Sequence, residues 1–203
     1  MPYSAQGRHM WPKIIATILS NSDSILSKMI DTHFINLSAI IDLEGQDIQQ
    51  AVLCRVISPS IIWDLEVRSR YWYVINIAIL YGRIDSIKTL LRLDSRIVKH
   101  ADIALAIALE SNRKNSIDII QLLLEAGADP NGAERNILHI LYSQAGLRMR
   151  AGNTIRKMVL KYGADPNIEN LSGHKPHDNL WPHDRAEAKC IVELVQSGAT
   201  YTK

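Results

Sequence analysis

The sequence predicts an all-α solenoid, with helix–turn–helix repeats and short finger turns recurring over residues 68–203 behind a helical N-terminal cap. Three observations predict it. The decapeptides LLLEAGADPN at 122–131 and MVLKYGADPN at 158–167 end in the same five letters, and QSGATY at 196–201 repeats half of them. A large aliphatic residue close before each turn, Leu91, Leu124, Leu160 and Val195, recurs at intervals of 33, 36 and 35 positions, the period of a helix pair with its turn. Each stretch ahead of a turn spaces its apolar residues for one face of a helix.

Residues 1–9 are expected to be disordered. Residues 10–67 show no repeat motif but carry helical spacing at Ile14, Ile15, Ile18 and Leu19, at Ile25, Leu26, Met29 and Ile30, and at Ile48, Val52, Leu53 and Val56. A stacked array exposes an apolar face at each end unless something covers it, so this segment reads as a helical cap or as degenerate repeats. The apolar stretch IIATIL at 14–19 is short, has no small-residue cleavage site and is a poor signal peptide. YWYVINIAILY at 71–81 falls far below the roughly 20 residues that cross a bilayer.

The repeat helices follow. Ile84, Ile87, Leu90 and Leu91 form one apolar stripe; Ile117, Ile120, Leu123 and Leu124 the next; then Ile155, Met158, Val159 and Leu160; then Ile191, Leu194 and Val195. Shorter helices are expected at 74–82, 104–111 and 137–145, with Ala78 and Ala108 at matching positions where close helix approach excludes a larger side chain. Gly127 and Gly163 stand where the chain leaves a helix through a left-handed conformation, and Pro130 and Pro166 prevent its continuation.

On these residues the chain resembles the ankyrin repeat family. The family pattern is matched by Ala78, Gly82, Ile87, Leu90 and Leu91, then by Leu105, Ala108, Ile120, Leu123, Leu124, Gly127, Ala128 and Asn131. Leu138, His139, Gly163, Ala164 and Asn167 follow, and Gly173, Pro176, Ile191, Leu194, Gly198 and Ala199 fall in the fourth of about four repeats. Only Leu138 and His139 survive of the family's TPLH tetrapeptide, and the fourth repeat reads KPHD. The connection from Asn131 to Asn136 is shorter than the family's, while SNRKNS at 111–116 and AGLRMRAGNT at 145–154 are longer.

The resemblance implies a non-enzymatic protein-binding module that docks a partner on its concave face. Carried over by position, that face takes Arg68, Arg70 and Trp72 on the first finger, Lys99, His100 and Asp102 on the second, Arg135 on the third and His174 with Lys175 on the fourth. The helix positions are Leu80, Tyr81, Glu110, Ser111, Ser143 and Gln144. The basic lean of this set suits a protein partner with an acidic segment. The resemblance also implies that His139 bonds backbone, that the chain is monomeric and that it is cytoplasmic. Host-directed proteins of intracellular bacteria and viruses belong to the family's range.

The chemistry of the chain excludes more than it assigns. Hydrophobic residues make up 47% and charged residues 22%, the balance of a folded chain. A formal charge of +2 is too small to argue for nucleic acid. Arg148, Arg150, Arg156, Lys157 and Lys161 form a second basic group, read as a solvated helix face with contact to nucleic acid or an anionic surface as the alternative. Cys54 and Cys190 read as buried thiols in a reducing compartment. His174, His177, His183 and Cys190 are the densest set of metal ligands, but tight paired spacing is absent, and neither metal nor cofactor is expected. Asp42 with Glu44 and Asp64 with Glu66 read as solvated pairs. No nucleophile–base arrangement or phosphate loop is present, so an enzyme site near Asp64, Arg68 and Tyr73, or an accessory role beside an enzyme, is the weaker reading.

Overall fold

The computed structural model describes residues 11–20, 23–33, 74–100, 104–111, 114–132, 136–178 and 180–200. Among the described residues the secondary structure is helical and contains no strand, and no helix is long and apolar enough to cross a membrane. The chain divides into two compact units, residues 1–101 and 102–203.

In the N-terminal unit, α1 (Trp11–Leu19) and α2 (Asp23–His33) form one helix pair, and α3 (Val74–Leu80) and α4 (Ile84–Leu93) a second. Helix α1 packs on α3 and α2 on α4, first helix against first and second against second, although residues 34–73 separate the pairs in sequence. Ile14, Ile15, Ile18 and Leu26 are fully buried with Ile75, Ala78, Ile79, Ile87 and Leu90. Each such Ile or Leu contributes on the order of 2 kcal/mol relative to exposure. Arg92 Nη2 donates to Ser27 Oγ at 2.8 Å, tying α4 to α2. Ile25, expected on the buried stripe of α2, is instead 54% exposed. The stretch around Ile48, Val52, Leu53 and Val56 lies outside the described residues, as do residues 1–9.

The exit from α4 differs from a finger turn. No glycine follows it, and Asp94 turns the chain in an extended conformation (φ −152°) while its carboxylate accepts the Arg96 N–H at 3.0 Å. The chain then rewinds into a 3-10 helix, Ser95–His100, that buries Ile97 and Val98. Lys99 and His100 therefore close a short helix, which corrects their expected place on a finger.

The C-terminal unit contains α5 (Ala104–Glu110), α6 (Ser116–Glu125), α7 (Ile137–Leu141), α8 (Gln144–Leu147), α9 (Gly152–Lys161) and α10 (Arg185–Gln196). Helix α5 packs on α7 and α6 on α9, so two helix pairs lie side by side in register. Leu109, Ile119, Ile120, Leu123, Leu138, Leu141, Ile155 and Val159 form their common core.

Each letter of GADPN has a physical task. Gly127, Gly163 and Gly198 take φ of +91°, +90° and +99°. In each case the glycine N–H and the alanine N–H after it return to helix carbonyls three and five residues back, as in Ala128 to Leu123, Ala164 to Val159 and Ala199 to Leu194. Ala128, Ala164 and Ala199 are buried. Asp129 and Asp165 accept the N–H of Asn131 and Asn167, each at 2.8 Å, closing a turn around a buried proline. The asparagines then reach the next turn: Asn131 Nδ2 donates to the Gly163 carbonyl at 3.0 Å and its Oδ1 accepts the Asp165 N–H at 2.7 Å. Asn167 repeats this on the Gly198 carbonyl and the Thr200 N–H, at 2.9 and 2.7 Å.

The expected helix at 137–145 needs correction. Helix α7 stops at Leu141 and does not run to residue 145. Ser143 opens the separate helix α8 by accepting the Gly146 N–H at 3.1 Å, and a side chain at Gly146 would collide with the Ile140 carbonyl oxygen. Among the described residues no helix precedes α10 in the fourth repeat. Residues 174–178 and 180–184 contain turns but no helix; Pro176 and Pro182 withhold N–H donors there, and Asp178 Oδ2 accepts the Lys175 N–H at 2.7 Å. Helix α10 starts afresh where Asp184 accepts the Ala186 and Glu187 N–H groups. The fully buried register is Leu123, Val159 and Leu194, one residue ahead of the markers read from the sequence. Val195 is 47% exposed, and no layer follows α10 among the described residues.

Candidate functional site

Within the C-terminal unit a groove of about 960 Å³ opens between the ends of α5 and α7, helix α8 and the turn at 168–172. Leu109 and Glu110 line it from α5, His139 and Ile140 from α7, and Ala145 and Gly146 from α8. Asn136 holds its floor: the side chain caps α7 by accepting the Leu138 N–H at 2.9 Å and donates to the Pro130 carbonyl at 3.2 Å.

His139 ties this floor to the far wall. Its Nε2 lies 3.0 Å from the Ile168 carbonyl oxygen, and since a carbonyl only accepts, Nε2 carries the hydrogen. Burial lowers the imidazole pKa below its ordinary value. The bond to Ile168 and the charge of Asp178 oppose that shift, and His174 adds to it. His139 is thus neutral at pH 7 and acts as a strut.

The wall ends in a rigid tip. Asn170 Oδ1 accepts the N–H groups of Ser172 and His174 at 2.9 and 3.0 Å, the Asn170 N–H donates to the His174 carbonyl, and Gly173 reverses the chain at φ +74°. Leu171 projects from this tip at 96% exposure. A large apolar side chain held in water on a tied turn has no structural task in its own unit. Sequence reading passed over Leu171 and Ile168, although the Asn–Leu–Ser–Gly run marks a turn with an apolar residue inside it.

Of the residues predicted to contact a partner, the structure brings Glu110 and Ser143 into this groove. Ser143 Oγ is already committed, donating to the Ile140 carbonyl at 2.7 Å and capping α8. Ser111 is half-buried next to Glu110 and donates to the Ala108 carbonyl at 3.1 Å. Gln144 opens α8, and His174 is exposed on the Asn170 turn. Leu80 and Tyr81 are half-buried in the N-terminal unit, at the end of α3 and just beyond it. Arg68, Arg70, Trp72, Asp102 and Arg135 lie outside the described residues, as do Asp64 and Tyr73. The charged residues lining the groove, Glu110 and Glu169, are both acidic, which differs from the basic lean of the positional set.

The basic group at 148–161 is not one solvated face. Arg156 is only 7% exposed. Its Nε lies 3.3 Å from Glu193 Oε2, and its guanidinium stands 5.5 Å from the centre of the Tyr142 ring. Burial, reinforced by the Glu193 charge, raises the Tyr142 phenol far above its usual range. Arg156 is a structural cation joining α9 to α10 and is withdrawn from any phosphate-binding set. Among the described residues no three His, Cys, Asp or Glu side chains gather to hold a metal. Cys190 is buried in α10, and burial raises its thiol pKa against the opposing charge of Arg156.

No family model matches the chain, and no curated protein matches it. The geometry therefore carries the functional reading.

Proposed function

We propose that the chain is an ankyrin-type repeat array that works as a non-enzymatic protein-binding module, with the groove under Leu171 as its docking face. The observation that carries this reading is the paired bridge from Asn131 to Gly163 and Asp165 and from Asn167 to Gly198 and Thr200. Such bridges set successive turns at a fixed offset, so the groove they edge is formed before a partner arrives and little ordering cost remains for association. The lining favours an extended partner segment with an apolar side chain to seat against Leu171, Ile168 and Met149 and a basic side chain to face Glu169.

Affinity capture from cell extract tests this with three baits: the unaltered chain, Leu171→Asp with Glu169→Lys, and Gln121→Glu, a change on the exposed side of α6. Proteins retained by the first and third baits but lost from the second are expected. Identical sets on all three would overturn the assignment of this groove.

A further inference from the structure

A second cavity, of about 710 Å³, lies between α9 and α10 and is lined by Leu147, Lys157, Arg185, Lys189 and Val192 together with the Arg156–Glu193 pair. Lys157, Arg185 and Lys189 are exposed, and none of them makes an ion pair or hydrogen bond with a described residue. Arg185 and Lys189 stand four apart on α10 and share a face, and Val192, three further on, continues that face at 54% exposure. The acid in the lining, Glu193, is already engaged by Arg156. The cavity is thus an apolar trough with three uncommitted positive charges around it.

We propose that this trough is a second docking site, independent of the Leu171 groove, for an acidic protein segment. Its carboxylates face Lys157, Arg185 and Lys189, and an apolar side chain seats on Val192 and Leu147. Charge complementarity selects the occupant. Nucleic acid fits less well: three cations neutralise few phosphates, and no aromatic residue lines the trough for a base to stack on.

A fluorescein-labelled peptide with glutamate and leucine at helical spacing, titrated with the full chain, tests the site. Saturable binding that weakens with added salt is expected. The double variant Lys157→Glu, Lys189→Glu should lower affinity about tenfold or more, with Arg185→Glu as a second reversal at an exposed position. Both should keep the circular dichroism and melting curve of the unaltered chain. Leu171→Asp should leave peptide affinity unchanged, which separates this site from the other groove. The proposal is overturned if a peptide with lysine in place of glutamate binds equally well, if the charge reversals keep full affinity, or if duplex DNA displaces the acidic peptide at equal charge.

Discussion

The Asn131 side chain reaches across to the next turn, donating to the Gly163 carbonyl at 3.0 Å while accepting the Asp165 N–H at 2.7 Å. One amide thus satisfies a donor and an acceptor of a neighbouring backbone, which neither an aspartate nor an alanine can do. Asn131→Ala should lower unfolding free energy by about 1–2 kcal/mol, measured by urea denaturation. Asn167→Ala should cost a similar amount, and since the two bridges serve different turns, the double variant should show a near sum.

Two glycines should respond differently to alanine. At Gly163 an added Cβ meets nothing within 4 Å, so the change costs only the left-handed conformation at φ +90°, about 1–2 kcal/mol. At Gly146 the Cβ would strike the Ile140 carbonyl oxygen and the Leu141 backbone, so α7 and α8 must separate. Thermal melts should show a clearly larger loss for Gly146→Ala. Equal losses would mean that α8 does not sit against the end of α7.

The Arg156–Glu193 pair predicts an asymmetry. The Arg156 side chain is 9% exposed and that of Glu193 is 19% exposed. Glu193→Ala leaves a buried guanidinium without its carboxylate and should cost about 3 kcal/mol or more. Arg156→Met leaves a carboxylate that water reaches more easily and should cost less. Arg156→Met with Glu193→Leu should recover part of the loss, as judged by denaturant midpoints.

His139 sets a pH dependence. Its folded pKa lies below the ordinary value of 6.5, so the unfolded chain takes up the proton first as pH falls. The stability of the neutral, bonded imidazole is complete above about pH 6.5 and declines as pH drops from there towards the lower folded value. His139→Gln keeps a donor for Ile168 but does not titrate. The difference in stability between the two proteins should therefore narrow or reverse below pH 6.5; a constant difference from pH 7.5 to 5 would contradict the shift.

The sequence made the turns legible because their chemistry is local. Glycine, aspartate, proline and asparagine act within a few residues of themselves, and Gly127, Gly163 and Gly198 stand where their letters placed them. Most positions on the predicted helix faces were legible for the same reason, Ile14, Ile87, Ile120 and Leu194 among them, while Ile25 and Val195 face water. What escaped the reading depends on distant partners. Nothing around Arg156 announces that Glu193, 37 positions away, will cover it. The apolar stripes of α1 and α2 suggest a cap, but they do not say that α1 will meet α3 and α2 will meet α4. Pro176 and Pro182 make the turns before α10 legible in the same local way, because each removes an N–H donor that a helix would use. In the candidate site, Glu110 and Ser143 came from position in the repeat, whereas Leu171 matters because the Asn170 turn holds it in water, a fact of hydrogen bonding that spacing does not carry.

Amide hydrogen exchange at Asp165 and Thr200 tests the repeating bridge most directly, because both N–H groups sit in exposed turns and depend on asparagine acceptors from the preceding turn. Both amides should exchange slowly in the unaltered chain, with Asn131→Ala releasing Asp165 alone and Asn167→Ala releasing Thr200 alone. Exchange of both at the rate of an open loop in the unaltered chain would contradict the stacked arrangement and, with it, the preformed groove.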